Sequence, residues 1–211
     1  MIYERFITLE GGEGAGKTSA LKTIKNVLEY RELPYVMTRE PGGTNLAERL
    51  RAILLDPKTG DLHPETELLL MQAARADHAT RLIKPSLEEG KIVISDRFDV
   101  SSIAYQGGGR GYQHTEEMVL AQRERLGIVP GLTLYLDVPV SEGRKRVIRR
   151  GVAQDRFEKE REDFAQRVRE IFLTYAQKDP TIRTIDASKQ IDVVERNIRE
   201  TLDTYLDSID I

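Results

Sequence analysis

The 211-residue sequence contains no cysteine and only three histidines, His63, His78 and His114. Without cysteine the chain can form neither disulfide bonds nor thiolate metal sites, which is typical of a protein kept in a reducing cytoplasm. The histidines are too scattered to indicate a metal site or a proton relay, and we interpret them as structural. Any chemistry is therefore expected from other side chains.

Long apolar runs and an excess of charge of one sign are also absent. No run of about 18 apolar residues occurs, and the first ten residues, MIYERFITLE, lack a signal-peptide core, so we predict a cytoplasmic protein without a membrane segment. The formal net charge is −3, and no overall basic field favours nucleic acid as a partner. With 39% hydrophobic and 32% charged residues, the composition is that of a folded globular protein. Positive charge for an anionic ligand must be supplied locally.

Short apolar segments that end in charged or glycine-rich turns alternate with segments of helical period. The predicted strands are Arg5–Glu10, Pro34–Thr38, Lys91–Ser95, Leu132–Leu136 and Thr181–Ile185. The predicted helices are Lys17–Tyr30, Asn45–Leu55, Glu65–Glu89, Glu116–Leu126, Ser141–Arg150, Glu158–Gln177 and Ile191–Leu206. This alternation favours an α/β fold with a parallel sheet, helices on both faces, and ligands at the carboxyl ends of the strands. No repeat or linker interrupts it, so we predict one domain over residues 1–211.

The segment GGEGAGKT, residues 11–18, lies between a predicted strand and a predicted helix. In this context the motif indicates a P-loop, whose backbone N–H groups and helix N-terminus bind phosphate. Lys17 is expected to reach the β- and γ-phosphates of a nucleoside triphosphate such as ATP, and the Thr18 hydroxyl to bind Mg²⁺. The residues predicted to bind ATP are Gly11, Gly12, Glu13, Gly14, Ala15, Gly16, Lys17 and Thr18.

Charged residues at two other strand ends indicate a second phosphate site. Asp96 follows the third strand, where a carboxylate can hold Mg²⁺ through water, and Arg97 comes next. Arg39 lies at the end of the second strand. Two phosphate charges about 5 Å apart repel by about 3 kcal/mol at an effective dielectric constant near 20, so transfer between phosphates needs cations placed in advance. The alternative for each arginine is a surface ion pair, such as Arg97 with Asp99.

Several separate blocks of the sequence resemble the thymidylate kinase family. They are EGGEGAGKT, TREPGG, AARADH, SDRFDVSSIAYQGGGRG, LYLDV and DASK, in the family's order and at similar spacings. The resemblance implies Mg²⁺-dependent transfer of phosphate from ATP to dTMP, giving ADP and dTDP. It also implies the three-layer P-loop fold of nucleoside monophosphate kinases, with a five-stranded parallel sheet, a small mobile lid and a homodimer.

The resemblance also assigns roles to individual residues. Glu13 would accept a hydrogen bond from the 3′-OH of the acceptor, Arg39 and Arg97 would bind its phosphate, and Tyr105 would stack on its sugar. Arg75 would donate to a thymine carbonyl. The residues expected to bind dTMP are Glu13, Arg39, Glu40, Arg51, Met71, Arg75, Arg97, Ser101, Ser102, Tyr105 and Gln106. The alternatives are a solvated loop residue for Glu13, an exposed helix arginine for Arg75, a core tyrosine for Tyr105 and helix caps for the serines.

The sequence departs from the family pattern at Met71, where a phenylalanine that stacks on thymine is common. A thioether can contact a ring edge for about 0.3–1.5 kcal/mol, so we expect binding to survive, while a core methionine is the alternative. The P-loop carries no basic residue between Gly12 and Gly16. The resemblance therefore implies that a lid over about residues 146–158 supplies the arginine for transfer.

Within this lid we favour Arg150 and Arg156, with Arg149 behind them, and the alternative is a solvated basic helix face. The predicted catalytic residues are Lys17, Asp96, Arg97, Arg150 and Arg156. The resemblance places the adenine of ATP between Arg144 and the segment DASK, residues 186–189. Two rival functions stay open, a kinase for another nucleotide or for a deoxynucleoside, and a nucleotide sensor without catalytic activity.

Overall fold

The computed structural model describes residues 2–151, 157, 162–209 and 211. They form one five-stranded sheet with all neighbouring strands parallel, in the order β2-β3-β1-β4-β5. The strands are β1 Ile2–Gly11, β2 Tyr35–Arg39, β3 Ile92–Asp96, β4 Val129–Asp137 and β5 Ile182–Asp186. The predicted α/β class and all five predicted strands are thereby confirmed, with β1 and β4 longer than expected.

The helices follow the predicted pattern, with two differences. They are α1 Lys17–Tyr30, α2 Asn45–Leu55, α3 Pro64–His78, α4 Lys84–Glu88, α5 Asp99–Ser102, α6 Thr115–Leu126, α7 Val140–Arg150, α8 Glu162–Lys178 and α9 Ile191–Ser208. The helix predicted over residues 65–89 contains a π-helical turn, Ala79–Ile83, between α3 and α4. Pro85 follows this turn and has no N–H with which to continue regular helical bonding. No helix in the described ranges is long and apolar enough to cross a membrane.

The second difference lies after β3, where α5 continues as a π-helical segment, Ile103–Gly109. Three consecutive glycines disfavour a helix when the sequence is considered alone. Here they allow α8 to approach, since a Cβ atom on Gly109 would lie 2.4 Å from the Phe164 ring and one on Gly108 2.5 Å from Ile171. Tertiary packing therefore explains this segment.

Helices cover both faces of the sheet. On one face α1 and α9 pack on Ile7 and Leu9 of β1 through an apolar cluster that includes Ile24 and Leu202. Side chains alternate along a strand, so Phe6, Thr8 and Glu10 of β1 turn to the opposite face. There Phe6 packs against Phe98 with ring centroids 4.9 Å apart. This alternation places the Glu10 carboxylate beneath the loop that follows β3.

Candidate active site

The predicted P-loop joins the end of β1 to the start of α1. Gly14 and Gly16 adopt φ values of 73° and 89°, in the left-handed region that glycine tolerates. Lys17 folds back over the loop, and its Nζ donates to the carbonyl oxygens of Gly11 and Gly12 at 3.2 Å each. Burial and the neighbouring Arg97 charge lower the pKa of Lys17. The segment thus has the form of a phosphate cradle with an ammonium group at its centre.

A cleft of about 430 Å³ opens beside this loop, at the carboxyl ends of β1, β2 and β3. Most of the predicted site residues line it together: Glu13, Gly14, Ala15, Gly16, Lys17, Thr18, Glu40, Arg51, Met71, Arg75, Asp96, Arg97, Ser101, Ser102, Tyr105 and Gln106. Gly11 and Gly12 lie at the base of the loop, where they accept the Lys17 hydrogen bonds. The fold therefore gathers segments that are far apart in the sequence around one cleft.

The guanidinium of Arg97 donates four hydrogen bonds. Its Nη1 donates to Gly11 O at 3.0 Å and to Ser101 Oγ at 3.2 Å. Its Nη2 donates to Glu13 Oε1 at 3.1 Å and to Tyr105 Oη at 3.0 Å. Burial opposes its charge, but the neighbouring Tyr105 and Glu13 outweigh that effect and raise the pKa of Arg97. The alternative pairing with Asp99 is not formed, since Asp99 pairs with Arg123.

The backbone of Arg97 is strained, with φ at 72°, which is uncommon for a residue with a side chain. Hydrogen bonds on both sides hold it there. Arg97 N donates to Leu9 O at 2.9 Å, Ser95 Oγ donates to Arg97 O at 2.7 Å, and Phe98 N donates to Glu10 Oε1 at 2.9 Å. The chain thus turns sharply after β3 and directs the guanidinium back toward the P-loop.

Glu13 and Tyr105 meet on the same side of the cleft. Tyr105 Oη donates to Glu13 Oε1 at 3.3 Å, and the Arg97 guanidinium lies 4.8 Å from the centre of the Tyr105 ring. The Tyr105 ring packs edge-on against Phe164 and Phe172 and is only 8% exposed. Tyr105 is therefore both a core tyrosine and a residue that lines the cleft. Glu13 is more than a solvated loop residue.

Arg75 is the most buried arginine of the cleft, with 4% of its side chain exposed. Its Nε donates to Glu40 Oε2 at 2.8 Å, and its Nη2 donates to Ser102 Oγ at 2.8 Å and Phe98 O at 3.1 Å. Its buried Nη1 has no hydrogen-bond partner in the described part of the chain. An unused donor that costs free energy to bury is suited to a ligand.

Glu40 is the acceptor that fixes Arg75. His78 Nδ1 lies 3.1 Å from Glu40 Oε1, and its Nε2 lies 2.7 Å from Thr38 Oγ1. Although burial favours protonation, the Arg75 charge and the His78 hydrogen bond hold the pKa of Glu40 below its ordinary value. His78 is fully buried, which agrees with a structural role, but its position supports the site itself.

Two further polar side chains, Ser101 and Gln106, also have defined partners. Ser101 Oγ donates to Glu10 Oε2 at 2.5 Å while it accepts from Arg97. Gln106 Nε2 donates to Glu67 Oε1 at 2.9 Å. The expected helix-capping alternative for the serines fails, because their hydroxyls hold arginines and a carboxylate instead.

Arg39 does not join this cleft. Its guanidinium pairs with Glu48 of α2 at 2.9 Å, and half of its side chain is exposed. The expected pair of Arg39 and Arg97 in one phosphate site is therefore not assembled in this structure, because Arg39 pairs with Glu48 of α2. Arg51, also on α2, does line the cleft and donates from Nη1 to Pro41 O at 2.9 Å.

The residues proposed for Mg²⁺ fit a water-mediated site. Asp96 lines the cleft close to the P-loop, and its buried Oδ1 finds no hydrogen-bond donor among the described residues. Thr18 lines the same cleft at the start of α1. No group of three His, Cys, Asp or Glu side chains able to hold a metal occurs in the described ranges. Such a site resembles the carboxylate-plus-hydroxyl arrangement in which phosphate oxygens and water complete the shell.

The base of the predicted lid, α7, touches the P-loop. A Cβ atom on Gly143 would lie 2.4 Å from Glu13 O, and one on Gly14 would lie 2.1 Å from Gly143 O. Arg146 lines the cleft, and its Nη1 donates to Gly14 O at 3.4 Å. The side chain of Arg150 and all of Arg156 lie outside the described residues, as does most of the lid beyond residue 151.

Sequence reasoning missed two buried carboxylates behind the cleft. Glu10 supports the turn at Arg97, and burial raises its pKa to about 7. Glu67 is fully buried and holds Gln106. The spacing of four residues from Glu67 to Met71 and from Met71 to Arg75, which puts all three on one face of α3, was a signal that could have found Glu67.

Comparison with known proteins agrees with this geometry. The family model described as thymidylate kinase matches residues 9–198. The chain belongs to the thymidylate kinase family. It is 46% identical to a thymidylate kinase of Alkalilimnicola ehrlichii, with 96% of this chain and 94% of that protein covered. It is also 46% identical to one of Chromohalobacter salexigens, with 99% of each covered.

A solved structure supports the fold assignment. The crystal structure of thymidylate kinase from Ehrlichia chaffeensis superposes with a TM-score of 0.74 at 33% identity, covering 94% of this chain and 97% of that one. The thymidylate kinase resemblance inferred from the separate motifs is therefore confirmed.

Proposed function

We propose that this protein is a dTMP kinase, which transfers the terminal phosphoryl group of ATP to dTMP and releases ADP and dTDP. The observation that carries the proposal is the position of Arg97, whose guanidinium lies between the P-loop on one side and a cleft with unused buried polar atoms on the other. A nucleotide in that cleft would direct its phosphate at the P-loop. Family membership supports the same reaction.

The donor phosphates are assigned to the P-loop. Its backbone N–H groups and the N-terminus of α1 would bind the phosphate oxygens, and Lys17 would exchange its carbonyl partners for the β- and γ-phosphates. The change is favourable because a phosphate carries charge whereas Gly11 O and Gly12 O do not.

The acceptor phosphate is assigned to Arg97, with Arg51 nearby. Arg39 can take part only after it leaves Glu48, and that exposed pair is worth about 1 kcal/mol or less. Glu13 is assigned to the 3′-OH of deoxyribose and Tyr105 to the sugar face. The contact of Glu13 with Tyr105 supports both assignments, because it puts the two side chains within reach of the same part of a ligand.

The base is assigned to the inner end of the cleft. Arg75 Nη1 would donate to a carbonyl of thymine, and Met71 would contact the ring edge. Three further residues are assigned to the support of these groups. Glu40 and Ser102 both accept from Arg75. Ser101 donates to Glu10. Gln106 offers the remaining polar contact.

No general base is required for the transfer. The second pKa of a phosphate monoester is near 6, so the acceptor is already mostly a dianion at pH 7. The enzyme must instead overcome repulsion between two phosphates, and Lys17 and Arg97 supply the positive charge for this. When bound, Mg²⁺ would neutralise charge on the phosphate oxygens of ATP. We assign Thr18 and Asp96 to hold it.

The lid is assigned to cover ATP and to supply a further arginine. Arg146 already faces the P-loop, and Arg150 and Arg156 stay candidates for the contact with the transferred group. The proposal further includes a single functional domain, a homodimer and a cytoplasmic location, where the nucleotide substrates occur.

The acceptor panel tests this function most directly. ADP release is measured with ATP, Mg²⁺ and each of dTMP, dUMP, dCMP, dGMP and thymidine. We expect dTMP to have the highest kcat/KM. Faster turnover of thymidine would overturn the acceptor assignment, and ATP binding without turnover of any monophosphate would favour a sensor.

A further inference from the structure

The amide of Gln106 is held in one orientation. Its Nε2 donates to Glu67 Oε1 at 2.9 Å, and a carboxylate only accepts, so the nitrogen and not the oxygen of the amide faces Glu67. Glu67 is fully buried and Gln106 is 1% exposed. The buried Oε1 of Gln106 has no partner within the described ranges, and Gln106 lines the cleft. The amide therefore presents an acceptor to a ligand.

Glu67 also pairs with Arg110, which follows the π-helical segment Ile103–Gly109. Arg110 Nε donates to the same Glu67 Oε1 at 3.2 Å, and its guanidinium lies 4.9 Å from the centre of the Phe164 ring. This cation compensates a carboxylate that would be costly to bury alone. Glu67 does not line the cleft, so any effect on a ligand passes through Gln106.

The cleft thus offers a fixed pair of polar atoms, a donor from Arg75 Nη1 and an acceptor from Gln106 Oε1. Thymine presents the complementary pair, its O4 acceptor beside its N3–H donor. Cytosine reverses both, because its N4 amino group donates and its N3 accepts. A base whose polar atoms are reversed would leave two buried groups unpaired, which polar sites reject strongly.

We propose that Glu67 is a specificity-determining positioning residue. It keeps the Gln106 amide in the orientation in which Oε1 accepts a hydrogen bond from thymine, and this orientation excludes cytosine. The inference rests on the proposed function and deepens it, since it names the group that sets base selectivity from behind the cleft. Uracil has the same edge as thymine, so this device does not separate dUMP from dTMP.

The test compares dTMP with 5-methyl-dCMP, which keeps the methyl group and differs only in the hydrogen-bonding edge. Glu67→Met removes the acceptor and frees Gln106 to turn its nitrogen toward the cleft. We expect the ratio of kcat/KM for dTMP over 5-methyl-dCMP to fall by at least about 10-fold. KM for dTMP should rise, while KM for ATP should stay within about 2-fold of the wild-type value.

A double-mutant cycle separates positioning from general destabilisation. Gln106→Met should lower the same ratio, and adding Glu67→Met to it should change the ratio by less than about 2-fold, because the two residues act in series. Asp99→Asn, which weakens another buried carboxylate–arginine pair, should leave the ratio at the wild-type value. If Glu67→Met does not fold, Glu67→Leu, which also removes the acceptor, should lower the ratio in the same direction.

A wild-type ratio in either folded Glu67 variant would overturn the inference. So would an undiminished effect of Glu67→Met in the Gln106→Met background. If the wild-type enzyme does not phosphorylate dTMP at all, the proposed function fails instead, and the two failures are distinguishable.

Discussion

Glu13 of the P-loop and Arg97 after β3 form an ion pair, with Glu13 Oε1 3.1 Å from Arg97 Nη2. The pair explains why a loop suited to anions contains a carboxylate. The Glu13 carboxylate contacts Arg97 and Tyr105 in the cleft, so it partly neutralises Arg97 and accepts a hydrogen bond from Tyr105. An arginine held in this way is positioned before any phosphate arrives, which reduces the cost of organising the site.

Replacement of Arg97 tests its role at the acceptor phosphate. Arg97→Ala should reduce kcat/KM for dTMP at least about 100-fold, equivalent to about 2.7 kcal/mol of transition-state stabilisation. Arg97→Lys retains the charge but cannot donate in two directions, so we expect an intermediate loss. Steady-state kinetics with dTMP varied at saturating ATP provide the measurement. An Arg97→Ala enzyme within about 3-fold of wild type would contradict the assignment.

Replacement of Glu13 tests whether it contacts the sugar. Glu13→Gln should raise KM for dTMP about 10-fold while KM for ATP changes little, because a carboxylate accepts more strongly from a hydroxyl than an amide does. The matched probe is the 3′-deoxy analogue of dTMP, which lacks the hydroxyl. Wild-type enzyme should prefer dTMP over this analogue, and Glu13→Gln should lose most of that preference. Equal changes in KM for ATP and dTMP would count against the role.

The sequence predicted the parts of the site that depend on local motifs. A strand that runs into a glycine-rich turn and a helix specifies the P-loop within a few residues, and parallel strands bring Asp96 and Arg97 to the same edge. The pairing of Arg39 with Glu48 was not predicted, because Glu48 lies on the exposed surface of α2 and no motif encodes that pairing. Rotation of a side chain toward a neighbour depends on the final packing.

The buried carboxylates show the same limit more clearly. In the sequence Glu10 is one charged residue at a strand end and Glu67 one of several acids near a helix N-terminus. Only the assembled fold reveals that both are enclosed and that each holds a group of the cleft. Burial of a polar residue depends on contacts between distant segments, which residue type and period do not specify.

Glu10 should make stability depend on pH. Its pKa in the folded protein, about 7, lies above the ordinary value of 4.5, so the folded state holds the proton more tightly between these values. The free energy of unfolding therefore falls as pH rises through this window, by about 3 kcal/mol for a shift of this size. Glu10→Gln cannot ionise, and its amide can still bond Phe98 N and Ser101 Oγ.

The wild-type protein and Glu10→Gln are compared by urea unfolding at pH values from about 4.5 to about 8. The stability of Glu10→Gln relative to wild type should increase as pH rises to about 7 and then level off. Carboxylates with lowered pKa values, such as Glu40 and Asp137, reduce the stability of both proteins as pH falls. Their contributions cancel in the difference between the two proteins. Parallel curves over the whole range would refute the role of Glu10.

The contact between Gly143 and the P-loop makes the base of the lid sensitive to a single methyl group. Gly143→Ala would place a Cβ atom 2.4 Å from Glu13 O. Because Glu13 O is a backbone atom and the Cβ is fixed to the α7 backbone, α7 or the loop must move. We expect a loss of about 1–3 kcal/mol in stability, as for other overpacked sites, and a fall in kcat/KM for both substrates because Glu13 shifts with the loop. Ser141→Ala, on the exposed side of α7, should stay within about 0.5 kcal/mol of wild type. Thermal unfolding and steady-state kinetics of the two variants decide the point, and an unchanged Gly143→Ala enzyme would mean that α7 can separate from the loop without cost to catalysis.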